Sequence, residues 1–144
     1  MRLRFSAVCD DARTTPTGRI DLHGVYHDRA APGFPAKQEH LVLVVVLEWN
    51  REDHGRYLFK ADLEDEDGQI SLTVEGETEV HQSPPDQPPA RSQLIMPIEE
   101  VIFPHPGQYT FRVNVKGQTL EGPGIYLMEM PQEFATPEEG QAPA

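Results

Sequence analysis

The sequence predicts an all-β protein: an antiparallel two-sheet Greek-key sandwich, immunoglobulin-like or jelly-roll-like, of about eight strands. Three observations carry this. Apolar residues recur at period two along most of the chain, as in Tyr109, Phe111, Val113 and Val115 between a Pro-Gly and a Lys-Gly turn. Fourteen prolines and eleven glycines punctuate these runs. No segment keeps a helical period over ten or more residues. A closed barrel is the alternative way to close the same strands.

The elements follow in order. Leu3, Phe5, Ala7 and Cys9 share one face of a first strand. Residues 10–18 (DDARTTPTG) read as a polar connection. Arg19 to Tyr26 alternates again, with Ile20, Leu22 and Tyr26 on one face. Residues 27–38 (HDRAAPGFPAKQ) read as a loop, because Pro32-Gly33 and Pro35 interrupt any regular ladder. Leu41 to Trp49 is apolar on both faces, which predicts a central strand covered on both sides. Tyr57, Phe59, Ala61 and Leu63 then point inward, with Lys60, Asp62 and Glu64 toward water. Asp67-Gly68 marks a hairpin turn, and Ile70, Leu72, Val74 and Gly76 return along the partner strand. Leu94 to Ile98 is a short strand, Glu99 to Phe103 a single helical turn, and Ile125 to Met130 the closing strand. The domain is expected over residues 1–131. Residues 81–91 form a Pro-rich loop, and residues 132–144 a polar, disordered tail.

The net charge is −12. It is unevenly placed: residues 1–47 carry five acids and six bases, residues 48–79 eleven acids and three bases. This balance repels nucleic acid phosphates and anionic lipid surfaces, so neither is expected as a partner. No apolar run precedes Asp10, so no secretory signal is expected, and no stretch reaches the ~18 apolar residues of a membrane span. Cys9 is the single cysteine, which forbids an internal disulfide. A cytoplasmic location follows by default.

Residues that could carry chemistry gather around one region. Asp21, His23 and His27 fall on one face of a strand, with Asp28 beside them and Asp10, Asp11 and Arg13 at the end of the preceding strand. Imidazole and carboxylate groups in such positions could converge on a transition metal. The ordinary reading is a solvated face, since a metal site needs three or four converging ligands and no further ligand stands at a diagnostic spacing. No metal or cofactor is therefore expected. Asp65-Glu66-Asp67-Gly68 lacks the later oxygen ligands of a calcium loop and reads as a turn. Cys9 sits among apolar neighbours and reads as an inert buried thiol. No Gly-x-Ser-x-Gly, phosphate loop or dinucleotide fingerprint occurs, so no catalytic residue is assigned. Pro85-Asp86-Gln87-Pro88 matches PxxP but reads as a stiff surface connection. Trp49 reads as a core residue.

Several segments together resemble a known family. They are Arg4-Phe5 with Cys9-Asp10-Asp11-Ala12-Arg13, then Gly18, Gly24-Val25-Tyr26, Phe34-Pro35, and Phe103-Pro104-His105-Pro106-Gly107-Gln108-Tyr109. The resemblance is to a bacterial domain-of-unknown-function family of similar length and covers about residues 2–130. It implies a cytoplasmic β-sandwich without an established activity and carries over no catalytic residue. On that fold, Asp10, Asp11 and Arg13 would lie in a loop at the end of the sandwich, where binding loops cluster.

Three functions fit the sequence. The first is a non-enzymatic binding or accessory module with a protein partner. The second is a small-molecule, carbohydrate or metal binder, or an enzyme, using the loop-end residues Asp10, Asp11, Arg13, His23, His27 and Asp28. The third is a self-assembling structural protein.

Overall fold

The structure is a computed structural model that describes residues 1–130; the tail expected over 132–144 lies outside them. It is all-β, with ten strands: β1 (Arg2–Cys9), β2 (Asp11–Thr14), β3 (Ile20–His23), β4 (Asp28–Ala31), β5 (Ala36–Glu48), β6 (Gly55–Glu64), β7 (Ile70–Val80), β8 (Arg91–Phe103), β9 (Gly107–Val115) and β10 (Gln118–Glu129). They form a three-stranded sheet β1-β5-β8, a five-stranded sheet β4-β10-β9-β6-β7 and a two-stranded ribbon β2-β3. The two larger sheets bury their apolar faces in one cluster. Leu41, Leu43, Val45 and Leu47 come from one side, and Phe59, Leu63, Phe111, Val113 and Ile125 from the other.

The apolar run of β5 finds both its covers. Its odd-numbered residues enter the shared core. Its even-numbered Val42 and Val44 join Cys9 in a second cluster under Ala12, Ile20 and Leu22 of the ribbon. Residues 10–18 are thus no mere connection: Asp11–Thr14 pairs with Ile20–His23 and covers the outer face of the three-stranded sheet. A register shift between Leu3 and Phe5 splits the face expected for β1. Beyond this bulge at Arg4, Leu3 packs on the shared core, while Cys9 turns to the ribbon.

Residues 27–38 also depart from the expected loop. Asp28–Ala31 runs parallel to Tyr126–Glu129 at the edge of the five-stranded sheet, so the pairing is not wholly antiparallel. The sequence Asp-Arg-Ala-Ala has no strand propensity of its own; its neighbour's unpaired ladder imposes the conformation. Tyr126 N–H, for example, donates to the His27 carbonyl at 2.9 Å. Glu99 to Phe103 is strand, not a helical turn. Glu100 takes φ +56°, and the β5–β8 register skips it together with Glu39, so a local kink absorbs what the sequence suggested was a turn.

The β6–β7 hairpin stands as expected, with Phe59 opposite Gly76 and Leu63 opposite Leu72. Its turn is held by Asp65, whose Oδ1 accepts the N–H groups of Asp67 and Gln69, each at 2.9 Å. Gly68 takes φ +81°, the left-handed geometry that a side chain disfavours. Two residues of this hairpin depart from the alternation: Ile70, paired with Glu64 past a register shift, is 54% exposed, and Asp62 is buried. Asp62 does not face water but is 5% exposed, because Thr73 donates to its Oδ1 at 2.7 Å and Lys60 lies 3.9 Å from its Oδ2. Trp49 is core, as expected: its Nε1–H donates to Ser92 Oγ at 2.9 Å and its ring stacks on Tyr57.

Candidate functional site

The residues singled out from the sequence separate into two places. Asp11 lies opposite His23 and Arg13 opposite Asp21 across the ribbon. Asp10 joins them, its N–H donating to the His23 carbonyl at 2.9 Å, and its carboxylate fills the space that a Cβ on Gly24 would need. Asp10, Asp11, Arg13 and His23 therefore belong to a β-ribbon and its root, not to a free loop. His27 and Asp28 belong to another element, the edge of the five-stranded sheet. Among the described residues no group of three or more His, Cys, Asp or Glu side chains is placed to hold a metal ion. Cys9 is fully buried, and its Sγ lies 3.8 Å from the Val42 carbonyl oxygen. Burial and the charges of Asp10 and Asp11 push its pKa up, which keeps the thiol protonated and unreactive.

A second histidine pair has the look of an acid–base dyad and is not one. His105 Nδ1 sits 2.9 Å from the Pro106 carbonyl, and Nε2 sits 3.0 Å from Asp65 Oδ2. The Pro106 carbonyl and Asp65 raise the imidazole pKa; the Gln69 N–H, with His105, lowers that of Asp65. Both ring nitrogens face acceptors, so the charged ring has no lone pair with which to take a proton. The pair ties the β6–β7 turn to the corner before β9. There the Tyr109 hydroxyl donates to the His105 carbonyl at 2.7 Å.

The arrangement with most functional content was not legible in the sequence. Register places Arg2 and Arg91 on either side of Glu48, and the bulge adds Arg4. All three guanidinium groups lie on the same carboxylate oxygen, Oε1, at 3.8, 3.2 and 3.7 Å for Arg2, Arg4 and Arg91. The Glu48 side chain is 15% exposed, whereas the arginines are 40–65% exposed. Among the described residues Oε1 has no hydrogen-bond partner. The contacts are thus charge pairing only, and the directional N–H donors of the arginines are left for other acceptors. Beside them, Phe5 lies opposite Val46 and is 45% exposed. A hollow of about 700 Å³ adjoins the cluster, lined by Met1, Arg2, Glu48, Trp49, Arg51 and Pro89 among others. Four of the chain's twelve lysines and arginines meet here. The only hint in sequence was the basic start of the chain; Arg91 and Glu48 enter through strand pairing alone.

A smaller hollow of about 530 Å³ lies where the β9–β10 turn diverges from β6, lined by Leu58, Lys60, Asn114, Lys116 and Thr119 among others. Lys116 of this turn reaches the segment before β6, its Nζ 2.5 Å from the buried Asp53 carboxylate.

No curated protein matches the chain. A family model described as a family of unknown function, DUF6941, matches residues 4–127. That span takes in every strand from the bulge of β1 to the core residues of β10, and with it all the sequence segments that suggested such a family. The chain belongs to the DUF6941 family.

Proposed function

We propose that this chain is a non-enzymatic binding module that acts through contact with a protein partner. The supporting observation is the outer face of the β1-β5-β8 sheet. The ribbon covers only the part around Cys9, Val42 and Val44. The remainder offers Phe5, the exposed arginines and the adjoining hollow. Aromatic and arginine side chains are the residue types enriched at binding hot spots. With this reading goes a finer view of the fold as a two-layer Greek-key sandwich. It is supported by the shared core and by the Tyr109–His105 bond, which has the form of a tyrosine corner.

Self-assembly through sheet edges has less in its favour. β7 carries Glu75, Glu77 and Glu79, β8 contains Pro97, and β4 has only four residues; each device blunts an edge. The hollow beside Leu58 favours a second reading, a small-molecule binder, with the ligand held away from the ribbon residues.

The test is recovery of the tagged chain from its own cells with quantitative mass spectrometry against an untagged control, followed by reconstitution of the purified pair. A single partner that forms a stable complex in sedimentation supports the module. A blank recovery, together with a melting-temperature rise on a panel of sugars, nucleotides and metals, supports the small-molecule reading instead.

A further inference from the structure

We infer that Arg2, Arg4 and Arg91, set around Glu48, form an anion site that receives the clustered carboxylates of an acidic peptide segment on the partner. This rests on the binding-module reading and names the chemistry of what that face accepts.

The argument is one of local against global charge. The chain as a whole carries −12. At Glu48 three guanidinium groups share one carboxylate, which leaves a surplus of two positive charges at one spot. In the adjoining hollow Arg51 is offset by Glu52, so the surplus rests on the three arginines around Glu48. If the arginines served only to neutralise Glu48, one would suffice. Their exposed donors suit planar, bidentate recognition of carboxylates. Screening sets the size of the occupant. Beyond a Debye length of about 8 Å the acidic remainder of the molecule is felt only weakly by a short segment docked on the patch. A long polyanion such as a nucleic acid duplex extends past the patch and meets the acidic surfaces around it. Phe5 beside the arginines provides an apolar contact that a peptide side chain can use and a free anion cannot. A short acidic peptide is thus the occupant that charge and surface both favour.

Fluorescence anisotropy with a labelled tetraglutamate peptide at about 0.15 M salt, where the Debye length is about 8 Å, is the measurement. Saturable binding is expected, weakening as salt rises. The double variant Arg4→Glu/Arg91→Glu is expected to lose about ten-fold or more in affinity. Glu48→Gln is expected to gain several-fold, because it removes the internal competitor and raises the local surplus. A merely structural cluster would behave differently: Glu48→Gln would then lower the melting temperature and leave affinity unchanged, which overturns the inference. If the charge-reversed protein fails to fold, Arg4→Gln/Arg91→Gln serves in its place, with the same sign of effect expected. Tighter binding of a labelled oligonucleotide than of the peptide overturns it as well, as does concentration-dependent self-association abolished by the arginine variants, which would make a second copy the occupant. A partner that binds wild type and the arginine variants equally would sink this inference while leaving the binding module standing.

Discussion

The ribbon's role as a local cover can be tested through the thiol beneath it. Leu22→Ala removes three carbons from a half-buried side chain that packs on Cys9, Val42 and Val44. At about 0.8 kcal/mol per buried methylene, halved for partial burial, the loss is about 1.2 kcal/mol. That loss falls on docking of the ribbon, because Leu22 has no part in the shared core. A change of this size raises the open population about seven-fold. The assay is labelling of the native protein by an aromatic disulfide reagent under mild alkaline conditions. Reclosing is fast relative to labelling in that regime, so the rate tracks the open population. Labelling of Leu22→Ala should be about five- to ten-fold faster than wild type. Leu43→Ala provides the contrast. It lies in the shared core, fully buried, and should cost about 3 kcal/mol of global stability while leaving the labelling rate near that of wild type. The reasoning is refuted if Leu22→Ala labels at the wild-type rate, or if Leu43→Ala accelerates labelling more than Leu22→Ala does.

Three further outcomes follow from the geometry. A Cβ at Gly76 would stand 2.5 Å from Phe59 Cζ, so Gly76→Ala should cost about 1–3 kcal/mol in urea denaturation, and Phe59→Leu in that background should recover part of it. The His105–Asp65 pair should give a bell-shaped contribution to stability. The raised His105 pKa makes its share complete below about pH 6.5 and lost as pH climbs through the folded value. The lowered Asp65 pKa makes its share present above about pH 4 and lost as pH falls through the folded value. Wild type and His105→Gln should therefore differ most between about pH 4 and 6.5 and converge on either side; a difference that persists at alkaline pH would contradict the pairing. Burial alone would raise the pKa of Asp53, but the Lys116 ammonium and the Asn50 N–H outweigh it and hold the carboxyl below its ordinary range. Asp53→Ala should cost about 2 kcal/mol by thermal and urea denaturation, reduced from the full value of a charged hydrogen bond because water reaches Lys116.

Much of this molecule is written in local pattern. Alternation set the class as all-β, and Asp67-Gly68, Lys116-Gly117 and Pro106-Gly107 marked turns where the chain does reverse or bend. The two-faced apolar run of β5 declared a central strand, because a strand buried on both sides has no polar side to alternate with. Turn chemistry and side-chain period act over a few residues, so these features need no knowledge of the rest of the chain. Pairing between distant strands has no such signature. Asp28–Ala31 is a strand only because β10 presents it with an open ladder. Asp11–Thr14 covers Cys9 only because β3 folds back along it. The candidate residues were read as one strand face and its adjoining loop, yet tertiary structure divided them between a ribbon and a sheet edge. It also assembled Arg2, Arg4 and Arg91 on Glu48, from three strands far apart in sequence. Strand order and register decided that meeting, through the free energy of burying one shared core, and no single segment of sequence carries that information.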